Sequence, residues 1–259
     1  MDLTYGSYLQ LDKILSAQKV ESNGEHDETL FIIIHQVYEL WFKQILHEGS
    51  YLASSLEKGN IPAARHTINR MLKILKTMVS QVDILETMTP LSFSQFRSYL
   101  KSSSGFQSLQ FRQFEVFMGK RPGKILDLLP QDEVDQIGLR EKLSEPSLFD
   151  YLLKLASQRG HEIPDQILNR DFSIEYEGSA QVQQALLKVY KFEDELAPIC
   201  ESLVDMDEGI QEWRYRHVKM VERTIGHQMG TGGSPGVEYL KSTLFKPLFP
   251  DLWAIRSHF

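Results

Sequence analysis

Between Ile61 and Leu85 the apolar side chains fall at Ile61, Ala64, Ile68, Met71, Leu75, Met78, Val82 and Leu85. Steps of three and four alternate without a miss, which fits one continuous helical stripe and no strand. A helix with a single long stripe must lie against other helices. Residues 28 to 57 supply a suitable partner, with Leu30, Phe31, Ile32, Ile33, Ile34, Leu40, Trp41 and Phe42 placed on several faces. Such a helix belongs near the centre of a fold. Two further long patterns cover 179 to 205 and 206 to 225. No stretch sustains strand alternation between hairpin turns. The expected fold is all-α, a bundle of long helices in a single domain over 1–259. Shorter helices separated by Pro and Gly are expected at about 120–178, as a helical insert between the second and third long helices rather than an independent domain.

Composition narrows the function. The chain has 259 residues, 42% of them hydrophobic, and a net charge of −7, so neither a nucleic-acid partner nor an anionic membrane surface is expected. Charges interrupt every apolar run, so no membrane-spanning segment is expected. The first twenty residues hold Asp2, Asp12 and Lys13 and no apolar run of the signal-peptide kind. A cytoplasmic location follows as the default. Cys200 is the only cysteine, which excludes an internal disulfide and a thiolate metal cluster.

Three polar residues interrupt apolar faces. In "FIIIHQVYELWF", Phe31, His35 and Tyr38 share a helix face. A histidine there needs a hydrogen-bond partner or a ligand; a backbone carbonyl is one candidate and a bound molecule the other. No HExxH motif or second nearby histidine suggests zinc. In "TPLSFSQFRSYL", Thr89 and Pro90 mark a helix start, and Phe93, Phe96, Arg97 and Leu100 cluster on one side. A guanidinium among phenylalanines calls for a carboxylate, from either an internal Asp or Glu or a ligand. In "EWRYRHVKMVERTIG", His217 shares a face with Trp213, Met220, Val221 and Thr224. That setting suits either a core histidine or the axial ligand of a haem. Arg214, Arg216, Lys219 and Arg223 surround the same helix, as partners for haem propionates or as a solvated basic surface. The following "GHQMGTGGSPG", residues 226–236, holds five glycines, with Thr231 and Ser234 as its hydroxyls. It lacks the GK[ST] ending of a phosphate loop, and reads as a linker or as a loop whose backbone meets an anion.

In their order along the chain, "LTYGSYLQLDKILSAQ" (3–18), "HDETLFIIIHQVYELWFKQ" (26–44), "LETMTPLSFSQFR" (85–97), "SSGFQSLQFR" (103–112), "WRYRHVKMVERTIG" (213–226) and "GTGGSPGVEYL" (230–240) resemble the tryptophan 2,3-dioxygenase family. The resemblance spans essentially the whole chain. It implies a haem-binding dioxygenase that opens the indole C2–C3 bond of L-tryptophan with O2 to give N-formyl-L-kynurenine, the first step of tryptophan catabolism by the kynurenine pathway. It implies haem b, ferrous in the active state, with His217 as axial ligand of the iron, and a homo-oligomer of tetrameric type. By position, His35 would be the distal histidine near the indole N–H, Phe31 would pack on the indole, and Arg97 would grip the carboxylate. Gly230 and Thr231 would meet the amino-acid head, and Ser104 would lie near the haem. Tyr5, Tyr8 and Leu9 fall in an N-terminal arm, residues 1–20, that in this family reaches a neighbouring subunit's pocket. Phe93, also assigned to the substrate pocket, departs from members that carry a tyrosine hydroxyl there, so Arg97 and the loop must hold the carboxylate without it.

Three other readings compete. An indoleamine-type dioxygenase of broader specificity runs the same reaction, although the N-terminal tyrosines and "GTGGSPG" favour the tryptophan-specific family. A non-catalytic haem or tryptophan sensor would use the same scaffold. A haem-free helical interaction protein is the least specific.

Overall fold

The computed structural model describes residues 2–121, 135–231 and 236–259, with the backbone alone at 135–137. Part of the expected insert (122–134) and part of the glycine loop (232–235, including Ser234) lie outside the described residues.

Two short helices, α1 (Tyr5–Leu9) and α2 (Leu11–Leu15), bury none of their residues. The long helix α3 (His26–Glu57) follows, then α4 (Ile61–Leu85). Glu28 in the first turn of α3 is buried and accepts backbone N–H bonds from Glu21 (2.8 Å) and Ser22 (2.9 Å), tying the preceding chain to the helix. These bonds to the ionised form hold its carboxyl below the usual range despite the opposing effect of burial. Asn60 caps α4 by accepting from Ala63 N–H (3.2 Å), and Pro62 sits in its first turn, where a missing N–H costs nothing. All eight residues of the sequence stripe in α4 are buried. Helices α3 and α4 form an antiparallel pair: Tyr38 donates to the Met78 carbonyl (2.8 Å), and Arg70 pairs with the buried Glu48 (2.9 Å) one stretch nearer the turn.

Helix α5 (Pro90–Arg97) starts at Thr89, whose Oγ1 accepts from Ser92 N–H (3.1 Å), as the sequence suggests. Then come α6 (Leu109–Phe117), α7 (Asp135–Leu143), α8 (Leu148–Gln158), α9 (Asp165–Leu168), α10 (Ala180–Phe192), α11 (Ala197–Ile225), α12 (Val237–Ser242) and α13 (Pro250–Ala254). Among the described residues there is no strand. The insert does not carry a core of its own there: Leu148, Phe149, Leu152, Leu153, Leu155 and Ala156 of α8 join the main cluster with α3, α4, α10 and α11.

The sequence pattern misplaces one break. Residues 206–225 do not begin a helix; α11 runs unbroken from Ala197, and the interruption lies at 193–196, ahead of Pro198. The apolar face continues through Ile199, Leu203, Met206 and Ile210, all buried. The acidic stretch at 205–208 breaks the pattern of composition but not the helix. Asp207 is buried and accepts from Leu248 N–H (2.7 Å) and Trp253 Nε1–H (2.9 Å), so it anchors the C-terminal segment instead of facing water.

Helix α11 lies parallel to α4, with Lys76 against Glu212 (2.9 Å) and Arg216 against Asp83 (2.5 Å) further along both chains. At their crossing, a Cβ on Gly209 would come 2.8 Å from Leu75 Cδ2, so a side chain there would force Leu75 to shift. Leu75→Ala is expected to cost about 2–5 kcal/mol of stability by opening a cavity at this crossing. Ile84→Ala, at a position 49% exposed on the same helix, should stay within about 0.5 kcal/mol. Denaturant unfolding of both variants measures the contrast, and equal losses would contradict this packing.

Candidate active site

A second, smaller apolar cluster of Ile34, Leu85, Met88 and Phe96, with Phe31 and Phe93 packed on it, lies where α3, α4 and α5 meet. Beside it opens a cavity of about 600 Å3, within the roughly 300–1,000 Å3 typical of ligand and cofactor sites. Helix α3 contributes Phe31, His35 and Tyr38; α5 contributes Phe93 and Arg97; α11 contributes Trp213, His217, Met220, Val221 and Thr224. The segment 103–108, including Ser104, and Gly230 and Thr231 of the glycine loop complete the rim. The fold thus brings together Phe31, His35, Phe93, Arg97, Ser104, His217, Gly230 and Thr231. It does not bring Tyr5, Tyr8 or Leu9 to this cavity; α1 stands apart, with both tyrosines exposed.

His35 satisfies both readings of its sequence context. Its Nδ1 lies 2.7 Å from the Phe31 carbonyl, which can only accept, so Nδ1 carries the proton and Nε2 keeps a free lone pair. Burial lowers its pKa, so the ring is neutral at physiological pH. Phe31 packs against it at 4.1 Å between ring centroids, and Phe93 and Phe96 close an aromatic wall behind.

His217 is held differently. Trp213, one turn earlier on α11, stacks on it at 5.6 Å with 11° between the planes. Burial, and secondarily the neighbouring His35, push the His217 imidazole down to about 4. No protein atom among the described residues hydrogen-bonds to either of its ring nitrogens. A neutral imidazole with unpaired nitrogens, lining a large apolar cavity, has the chemistry of a metal ligand. Among the described residues no three His, Cys, Asp or Glu side chains gather to hold a bare metal ion. A metal here would therefore have to arrive with ligands of its own, and the residues present fit a tetrapyrrole iron taking one protein nitrogen.

Among the described residues Arg97 has neither an Asp nor a Glu as partner. Its Nη1 donates to Gln228 Oε1 and its Nη2 to the Met229 carbonyl (2.6 Å), both in the glycine loop. Thr231 donates to the Ser103 carbonyl (2.6 Å). Ser104 Oγ accepts from Phe106 N–H (3.3 Å) at the start of a 3-10 turn, Gly105–Gln107. The four cations around His217 divide. Arg216 pairs with Asp83 and Glu86, Arg223 with Glu86 and Lys219 with Glu222, whereas Arg214 is buried and lines the cavity.

Arg214 leads to residues the sequence reading missed. Glu115 on α6 accepts from Arg214 Nη2 (2.8 Å) and from Arg112 Nη1, and all three line the cavity. Arg112 also sits over the Phe106 ring at 4.6 Å. The signal was present in "LQFRQFEVF": two charges three residues apart in an otherwise apolar helix face, the same kind of intrusion that marks His35. Gln228 gives no such signal, since a glutamine in a polar loop is ordinary.

A sequence-family model described as Tryptophan 2,3-dioxygenase matches residues 1–128 and 189–259. A protein of that name from Anaeromyxobacter dehalogenans (strain 2CP-C) is 53% identical over 255 residues, covering 98% of this chain and 96% of its own. One from Herpetosiphon aurantiacus is 52% identical over 259 residues, covering 98% of each. One from Bacillus thuringiensis subsp. konkukian is 42% identical, covering 99% of this chain and 92% of its own.

Glu115 is the charge whose loss the cavity wall tolerates least, because two buried guanidinium groups share it. Glu115→Ala is expected to cost about 3–5 kcal/mol, the usual penalty for stranding a buried charge. Thermal or urea unfolding of the variant checks this; a loss within the range of a surface substitution would show that the two arginines find water.

Proposed function

The chain belongs to the tryptophan 2,3-dioxygenase family, and we propose that the cavity between α3, α5 and α11 is the place where it binds haem b and L-tryptophan and forms N-formyl-L-kynurenine with O2. The observation that carries this reading is the pairing across one cavity of a neutral, partnerless His217 with an acceptor His35 and the guanidinium of Arg97. His217 would hold the iron. Ferrous haem bound there supplies the oxygen-activating redox chemistry.

The chain's own residues bind and orient. Phe31 and Phe93 offer the indole an aromatic wall beside His35. His35 Nε2 accepts from the indole N–H and so fixes which edge of the ring faces the iron. It orients rather than abstracts: the indole N–H is a very weak acid, and an imidazole whose own pKa is lowered by burial is a poor base. Arg97 takes the carboxylate in two-pronged fashion, and Gly230 and Thr231 meet the ammonium and carboxylate. Phe93 has no hydroxyl to add, so the carboxylate rests on Arg97 and the loop. Holding both ends of the amino acid fixes the C2–C3 bond in place, an effect worth up to about 7–11 kcal/mol of barrier. Ser104 would stand beside the haem. Tyr5 and Tyr8, exposed on α1, and Leu9 beside them would complete a neighbouring subunit's pocket in a homotetramer. No helix among the described residues is long and apolar enough to cross a membrane.

Reduced, haem-loaded protein given L-tryptophan and O2 is expected to form N-formyl-L-kynurenine, read by its absorbance and mass. Haem retained with no product would overturn the reading. His217→Ala should lose stable haem, measured as bound haem per chain; full occupancy with unaltered axial ligation would reassign the ligand. His35→Ser should keep measurable turnover, and a variant with haem and tryptophan bound but no product at all would make His35 an obligatory base.

A further inference from the structure

Arg97 and Thr231, the side-chain donors assigned to the amino-acid head of the substrate, already donate within the protein itself. Arg97 gives one terminal nitrogen to Gln228 Oε1 and the other to the Met229 carbonyl, and Thr231 gives its hydroxyl proton to the Ser103 carbonyl. Two oxygens set side by side on the two terminal nitrogens of a guanidinium reproduce the pattern of a bound carboxylate. They differ from a carboxylate in one respect: both are neutral dipoles, so they occupy one N–H on each terminal nitrogen of Arg97 without compensating its charge.

The backbone holds this mimic in position. A Cβ on Gly236 would lie 2.8 Å from the Gln228 carbonyl oxygen and 3.8 Å from the Gly230 nitrogen, so the two ends of the loop cross in direct contact. The Gln228 backbone is thus held against Gly236, while Gln228 itself is exposed. Hydrophobic packing does not hold the segment down, since the Met229 side chain is 65% exposed. What fastens it are the polar bonds to α5 and to the segment at 103.

We infer that Gln228 is an internal competitor for Arg97, a surrogate carboxylate that occupies the clamp when tryptophan is absent and sets the apparent affinity for tryptophan. The inference rests on the assignment of Arg97 to the substrate carboxylate. A true carboxylate displaces the pair because it adds charge to the same geometry. An indole amine without a carboxylate has nothing to exchange and leaves the clamp self-paired. The apparent affinity falls by the fraction of molecules in which the clamp is free, so the contact tunes binding without touching the reacting ring.

The test is tryptophan and tryptamine binding to the anaerobic ferrous holoenzyme, followed by calorimetry so that turnover plays no part. Gln228→Ala is expected to tighten L-tryptophan binding about threefold to tenfold, the net value of one ordinary solvent-exposed hydrogen bond, and to leave tryptamine binding unchanged. Gln228→Glu, which supplies a real carboxylate, should weaken L-tryptophan. In an Arg97→Ala background the Gln228→Ala change should have no effect. A merely structural role for Gln228 would move affinity the other way, so weaker or unaltered tryptophan binding in Gln228→Ala overturns the inference. If Arg97→Ala alone binds tryptophan as tightly as the parent, the clamp assignment fails and the inference with it. If Arg97→Ala weakens binding but Gln228→Ala does not tighten it, only the internal competitor is lost.

Discussion

The crossing of α4 and α11 governs where the chemistry sits. Gly209 lets the two helices approach until Leu75 fills the space a side chain would need, and Asp207 binds the C-terminal segment to the same stretch of α11. The first half of α11 is thereby locked into the main core. Its second half continues beyond that core as a stiff rod and delivers Trp213 and His217 to the cavity opposite α3. Since α11 is unbroken from Ala197 to Ile225, the position of His217 follows from packing more than one helical turn away. The imidazole needs no hydrogen bond of its own to be placed, which leaves both nitrogens available.

Charge around the cavity is arranged in two layers. The two histidines that face it are held neutral, mainly by burial. The ionised groups stand in the wall and at the rim: Arg112 and Arg214 share Glu115 deep in the wall, and Arg97 sits at the mouth against uncharged acceptors. An apolar interior with neutral nitrogens suits a flat aromatic ligand and an iron porphyrin. A cation at the mouth suits the charged end of an amino acid. In the proposed reading, this arrangement would give a zwitterionic substrate one orientation, ring inward and head outward.

Much of this was legible in the residues. The stripe from Ile61 to Leu85 gave the bounds of α4 and its buried face, because a periodic pattern reports local geometry and needs no knowledge of partners. His35 and Arg97 stood out as polar groups on apolar helix faces, each in need of a partner, and both line the cavity. The break before α11 was not legible at its true place. An acidic stretch looks like a boundary, and nothing local tells that Asp207 is buried under three backbone or indole donors. Gln228 was hidden for a related reason: its partner lies 131 residues away, and the contact depends on a tertiary crossing of the loop ends. The motifs that marked His217 as a haem ligand carried that meaning only through the family resemblance; spacing alone favoured an ordinary core histidine.

The bond from His35 to the Phe31 carbonyl joins two residues of one helical turn. The direction in which the His35 imidazole offers its lone pair is therefore inherited from the α-helix itself. In the proposed reading, recognition of the ring would be built into rigid scaffold, while grip on the head would depend on a handful of exchangeable polar bonds. Natural variation in such a molecule has two separable dials, and selection for scarcer or richer supplies of the amino acid can turn the outer one while the inner one stays fixed.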